Sequence, residues 1–203
     1  MSAAVGILLS GRGSNFVALH RAMVAAKVPA EIALVVSNRA EAPGLAKAAD
    51  LGLETVCIPH QESATRQEHD ERVLAALRGA GDEWICLAGY MRMLSRHFVA
   101  SYPRRILNIH PSLLPSFPGL NVQKMALDWG VRVAGCTVHL VDEELDHGPI
   151  VVQHPVDVDD DDDEESLSAR ILIEEHRAYP RALRRLLTED WKVEGRRIVW
   201  RAA

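Results

Sequence analysis

The chain has 203 residues, 48% of them apolar and 25% charged. That balance suits one globular domain with a buried core and excludes disorder, collagen-like fibre and a membrane protein as global descriptions. The net charge of −5 is unevenly placed: residues 157–165 read DVDDDDDEE, and without them the remainder carries +3. A mildly basic body fits a small anionic ligand, whereas a long nucleic acid calls for a dense basic stripe.

The apolar stretch Val5–Leu9 is far too short for a signal segment or a membrane span. It reads as a first strand, ending at Ser10-Gly11 and followed by Phe16, Leu19 and Met23 at helical spacing. Ile32–Val36 is the next strand, ending in Ser37-Asn38, and Pro43-Gly44 opens an Ala-rich helix. Thr55–Ile58, Trp84–Ala88 and Arg105–Ile109 continue the series, with a helix over 63–78. Strands alternating with helices in this way indicate βαβ units and a parallel sheet. Gly135–Val141 and Pro149–Gln153 then read as an antiparallel addition, before a long helix over 167–187 and a small hairpin over 191–201. The three cysteines, Cys57, Cys86 and Cys136, form no CxxC, so a reduced, cytoplasmic protein is expected.

In a parallel sheet, ligands gather at the carboxyl ends of the strands. The first such end carries Ser10-Gly11-Arg12-Gly13-Ser14-Asn15, where glycines and a helix start favour an anion such as phosphate. A dinucleotide fingerprint fits poorly: the third glycine is missing, and the second strand lacks an acid at its end. Asn108 and His110 lie two apart on a strand and so share a face, an amide donor beside an imidazole. Carboxylates in Asp142-Glu143-Glu144-Leu145-Asp146-His147 could stabilise that imidazole as its cation. On the last helix, Glu175 interrupts an apolar stripe of Leu172, Tyr179, Leu183 and Leu186, and a buried acid needs a partner, either a ligand or an arginine. Nine histidines make no HxH, HxxxH or HExxH cluster, and His139 with His147 is read as structural. The acidic run lacks the glycine and spacing of an EF-hand and is read as a solvated loop.

Together, SGRGSN (10–15), LAGYMRMLS (87–95), ILNIHPSLLPSFPG (106–119), GCTVHLVDEELDHGPIVVQ (135–153) and EEH (174–176) resemble the phosphoribosylglycinamide formyltransferase family. The resemblance implies a single Rossmann-like formyltransferase domain over 1–203, an α/β fold with a mostly parallel sheet, antiparallel C-terminal additions and a long C-terminal helix. It implies transfer of the formyl group of 10-formyltetrahydrofolate, as co-substrate and without a metal, to the amine of 5-phosphoribosyl-glycinamide in purine synthesis. By the same resemblance Asn108, His110 and Asp146 are the catalytic residues. Gly13, Ser14 and Asn15 bind the substrate phosphate, and Leu172, Ile173, Glu174 and Glu175 bind the glycinamide part. Arg66, Met91, Arg92, Met93, Leu94, Asn108, Asp142, Glu143, Glu144, Leu145 and Asp146 bind folate. The implied partners are small molecules, with no nucleic acid or membrane, and the chain is expected as a monomer or homodimer.

Two relatives of the superfamily and one non-enzymatic role are the alternatives. Methionyl-tRNA formyltransferase carries a further basic C-terminal domain, and formyltetrahydrofolate hydrolase an N-terminal regulatory one; neither is expected here. A non-catalytic acidic module has no reason to hold Asn108, His110 and Asp146 together. The sequence departs from the family pattern in three places. Asn121 and Gln123 stand in the stretch where relatives often carry a histidine, His147 adjoins the catalytic acid where a small residue is expected, and the acidic run is long.

Overall fold

A computed structural model describes residues 2–201. The chain divides into two compact units, residues up to Asn108 and residues from Ile109 onward.

The first unit alternates strand and helix: β1 (Ala3–Leu9), α1 (Ser14–Val24), β2 (Ala30–Ser37), α2 (Pro43–Asp50), β3 (Thr55–Cys57), a 3₁₀ turn (His60–Glu62), α3 (Arg66–Ala80), β4 (Trp84–Leu87), α4 (Arg96–Ser101) and β5 (Ile106–His110), whose last two residues begin the second unit. The strand order is β3-β2-β1-β4-β5, every pairing within the unit parallel, with Ile7 flanked by Val35 and Cys86. Val5, Ile7, Leu8 and Leu9 are fully buried, which is why the strand is an unbroken apolar run rather than an alternating one. Helix starts follow from local chemistry. Thr65 and Ser95 cap α3 and α4 by accepting from the Glu68 and Phe98 amides, and Gly81 ends α3 in the left-handed region.

The second unit holds α5 (Val122–Asp128), β6 (Val133–Leu140), β7 (Ile150–Asp157), α6 (Glu164–Thr188), β8 (Trp191–Glu194) and β9 (Arg197–Trp200). β6 and β7 pair antiparallel, β9 joins β7 in parallel at Ile150↔Arg197, and β8 folds back on β9. α6 packs on β6 and β7 through Leu167, Ile171, Ala178, Tyr179, Ala182, Leu183 and Leu186. The Arg185 guanidinium, 3.7 Å above the Trp200 ring, fastens the terminal hairpin to that helix. The α/β class, the mostly parallel sheet, its antiparallel additions and the long last helix are those the sequence indicates.

Two expectations change. The buried stripe of α6 runs through Ile171 rather than Leu172, which is only half-buried, because the 3.6-residue period from Glu175, Ala178 and Ala182 leads back to 171. The acidic run is not a free solvated loop. Arg132 pairs with Asp160, and Arg170 with both Asp159 and Asp162. Asp163 forms a capping box with Ser166, and Glu164 and Glu165 are the first turn of α6. The Arg170 guanidinium and the Ser166 hydroxyl hold the Asp162 carboxyl well below the usual carboxylate range. Carboxylates crowd here because a helix N-terminus carries unpaired amides and a positive dipole end.

Candidate active site

In the first unit, the turn after β1 is built around Gly13, which caps α1 with φ 67° and no side-chain cap. A Cβ there would sit 3.0 Å from the Gly44 Cα and 3.2 Å from Phe16, so both backbone angle and space demand glycine. Ser14 and Asn15 are the first two residues of α1, where backbone amides lack helical acceptors and an anion is favoured. Ser10 donates its hydroxyl proton to Asn38 and accepts from the Met91 amide at 2.8 Å, joining the loops that follow β1, β2 and β4. Ser10 was expected only as the start of the anion turn and Asn38 not as a site residue; a polar Ser or Asn directly at an apolar strand end is the signal that points to their role in joining these loops. Met91 and Met93 are exposed and Arg92 and Leu94 half-buried, while Arg66 is an exposed residue at the start of α3.

In the second unit, His110 at the end of β5 is buried, with Nδ1 3.4 Å from Asp146 Oδ2 and Nε2 2.9 Å from the Phe117 carbonyl. Asn108, two residues earlier on the same strand, is half-buried and keeps the shared face expected of it. The irregular loop after β5 is held by side chains in place of a regular ladder. Thr137 donates to the Ser112 carbonyl at 2.7 Å and accepts from the Leu114 amide at 3.0 Å, and Gln153 donates to the Leu114 carbonyl at 2.8 Å. Asp146 accepts from the Gly119 amide at 2.9 Å, which ties that loop to the β6–β7 connection.

His139 is the residue that spacing alone did not place. It lies on β6, 2% exposed, donating Nδ1–H to the Leu140 carbonyl at 2.9 Å while Nε2 faces Asp146 Oδ1 at 3.8 Å. Burial pushes its pKa down and favours the neutral ring. Asp146 thus stands between two imidazoles, and His139 is turned toward it rather than toward His147. His147 instead pairs with Asp142 at 2.9 Å. Gly148 closes this connection because a Cβ would lie 1.9 Å from the Leu140 carbonyl oxygen. Glu143, Glu144 and Leu145 are exposed on the same loop.

On α6, Glu175 is 7% exposed and turned inward. The Cys136 thiol is pushed up to about 12 by its own burial first and by the nearby Glu175 charge next. Glu174 leaves by another direction, bonded to His154 at 2.9 Å and paired with Arg177, and Ile173 is exposed. Successive helical residues point about 100° apart, so Leu172, Ile173, Glu174 and Glu175 leave the helix in different directions, and Glu175 is the one of the four that is buried. Among the described residues no group of three or more His, Cys, Asp or Glu side chains is arranged to hold a metal ion, and no helix is long and apolar enough to cross a membrane.

A parallel βα sheet with a glycine turn after its first strand, and an Asn-x-His strand end facing a carboxylate, defines the class to which the chain belongs. Residues 3–183 match the formyl transferase family, and the chain belongs to that family. It is 37% identical over 190 residues to the phosphoribosylglycinamide formyltransferase of Escherichia coli strain K12, covering 94% of this chain and 87% of that protein. It is 50% identical over 181 residues to the trifunctional purine biosynthetic protein adenosine-3 of Drosophila pseudoobscura pseudoobscura, covering 88% of this chain but spanning only 13% of that longer protein. Its fold superposes on glycinamide ribonucleotide transformylase 1 from Symbiobacterium toebii with a TM-score of 0.95 at 42% identity, over 97% of this chain and 93% of that one.

Proposed function

We propose that residues 1–203 act as one formyltransferase domain that moves the formyl group of 10-formyltetrahydrofolate to the amine of 5-phosphoribosyl-glycinamide in purine synthesis. The observation that carries the reading is the buried His110–Asp146 pair, with an oxygen acceptor at each nitrogen of the ring. A neutral imidazole can donate at one nitrogen only, so acceptors on both sides suit the doubly protonated cation.

The amine attacks the formyl carbon, and the carbonyl oxygen gains negative charge in the tetrahedral intermediate. Asn108 and the His110 cation donate to that oxygen. Collapse breaks the bond between the formyl carbon and the folate nitrogen. His110 gives its proton to that leaving nitrogen, and Asp146 takes up the proton shed by the attacking amine, directly or through water. For donation to substrate the His110 Nε2–H turns from the Phe117 carbonyl, an acceptor that holds the ring ready in the free protein.

In this reading Gly13, Ser14 and Asn15 receive the phosphate, Glu175 anchors the glycinamide end with Leu172, Ile173 and Glu174 shaping its surroundings, and the loop Asp142–Asp146 takes the pterin together with Arg66 and Met91–Leu94. No metal takes part, and the enzyme works in the cytoplasm as a monomer or homodimer on small molecules. The test is release of tetrahydrofolate from 10-formyltetrahydrofolate by the purified chain, with and without glycinamide ribonucleotide. Release that requires the nucleotide and yields its formylated product is the expected result. Release of formate without the nucleotide would make the chain a hydrolase and overturn the reading.

A further inference from the structure

The connection between β6 and β7, residues 141–149, has no regular secondary structure, yet it carries the acid that faces His110. Asp146 adopts φ 49°, a left-handed conformation that is uncommon for a residue with a side chain. The residue next to it is held at both ends. The His147 ring donates Nδ1–H to Asp142 Oδ2 at 2.9 Å, and its Nε2 lies 3.9 Å from Glu144 Oε2. The His147 carbonyl accepts from Arg196, in the turn of the β8–β9 hairpin, at 2.6 Å. Asp142 spends its other oxygen on the Glu144 amide at 3.0 Å, which rounds the loop back on itself.

A lone exposed ion pair contributes little. Here the pair closes a six-residue turn, 142–147, whose far end is the Asp146–His147 peptide, and His147 is tied again through its backbone. Movement of that peptide would swing the Asp146 carboxylate away from both His110 and the Gly119 amide. Glycine or alanine at 147 would keep the backbone tie to Arg196 and the Asp142–Glu144 turn but lose the side-chain link from 147 back to Asp142.

We propose that His147 is a positioning residue for formyl transfer: its imidazole clasps Asp142 across the loop and holds the left-handed Asp146 backbone in the turn that aims the carboxylate at His110. The kinetic part rests on the function proposed above; the ordering of the loop does not.

The experiment compares wild type, His147→Ala and His147→Asn, whose side-chain amide can place a donor where Nδ1–H stands. Amide hydrogen exchange over residues 142–148 is read in the substrate-free proteins, and kcat and KM are read with both substrates. His147→Ala is expected to speed exchange in that loop about 10-fold and to lower kcat about 5–30-fold, the scale of a misplaced catalytic group, while the KM for the nucleotide stays within about two-fold. His147→Asn is expected to recover most of both losses. Unchanged exchange and unchanged kcat in His147→Ala would overturn the clasp, as would equal losses in the Ala and Asn variants accompanied by a matching fall in Tm. A wild type that transfers no formyl group, with exchange still responding to His147→Ala and rescued by Asn, would instead overturn the function and leave the clasp as what orders the loop.

Discussion

His110 and Asp146 meet across 3.4 Å with side chains only 6% and 8% exposed, one at a strand end and the other in a loop 36 positions later. Removing one partner of a buried carboxylate–imidazole pair leaves the other without its counterpart in a poorly solvated place. His110→Ala is therefore expected to lower kcat about 100-fold or more, the usual scale for loss of an acid/base group. Asp146→Asn keeps an oxygen for the Gly119 amide but loses the charge, and should cost a comparable factor. The double variant should lose little more than either single one, because groups acting as a unit are non-additive. Steady-state kinetics on the three variants check this; losses that multiply would show the two residues acting separately.

The proposed phosphate turn is better tested at Ser14 than at Gly13. Any side chain at Gly13 meets Gly44 and Phe16, so Gly13→Val should lower Tm in addition to raising the nucleotide KM. Ser14→Ala leaves the backbone alone. It should raise the nucleotide KM roughly 10-fold, the value of one hydrogen bond to a charged group, and leave folate affinity and Tm unchanged. Isothermal titration with each substrate distinguishes this from the opposite assignment, in which folate binding falls and nucleotide binding does not.

The acidic run divides into two parts with different expected behaviour. Replacing Asp159, Asp160 and Asp161 by Ser and Gly removes exposed pairs to Arg132 and Arg170 and should change kcat little. Replacing Asp162 and Asp163 removes the Arg170 anchor and the cap of the helix that carries Glu175. That change should lower Tm by about 2–4 °C, the scale of a lost helix cap in a chain of this size. Thermal melts of the two variants side by side decide it. Equal Tm values would return the whole run to the role of a solvated loop.

Stability should depend on pH in two opposing ways. Asp82 is 8% exposed, with neither carboxyl oxygen hydrogen-bonded among the described residues, and burial, followed by the Glu54 charge, pushes it up to about 7. Between the unfolded value of about 4 and that value, the folded state keeps a proton that the unfolded state has released. Stability from this group is therefore lost as pH rises through that window. Asp82→Asn should remove the effect, so that its stability relative to wild type improves by on the order of 2–4 kcal/mol between about pH 4 and pH 8.

His69 and His139 act with the other sign. Burial pushes both below the ordinary histidine value, so the unfolded chain takes up protons first as pH falls below about 6.5, and stability drops with it. Urea unfolding across this pH range, in wild type and in the Asp82→Asn and His139→Gln variants, resolves the two contributions. A flat profile below about pH 6 would contradict the neutral assignment of His139.

The strand–helix alternation of the first unit was legible because buried parallel strands must be continuous apolar runs, and Val5–Leu9, Ile32–Val36 and Trp84–Ala88 each stop at a polar or glycine turn. Short elements were not. α4 and α5 have six and seven residues, and too few turns to show a period above the noise of a single sequence. Glu175 stood out because an acid breaks an apolar stripe, but that stripe could not be phased well enough to choose Ile171 over Leu172.

The sequence by itself determined the α/β class, the glycine turn after the first strand and the Asn108–His110 pairing. These depend on backbone sterics and on the two-residue strand period, which act between near neighbours. The residue types alone left open which carboxylate of 142–146 stands by His110; the family resemblance selects Asp146, and the tertiary structure brings that carboxylate to 3.4 Å from the ring. Only the tertiary structure decided that His139 rather than His147 stands on the other side of Asp146, and that Asp163 caps a helix while Asp162 pairs with Arg170. Each depends on the direction a side chain takes from a loop or strand folded back in space. Identical carboxylates three or four residues apart are equivalent by residue type and become different only when one backbone turn, here the left-handed one at Asp146, sends them different ways.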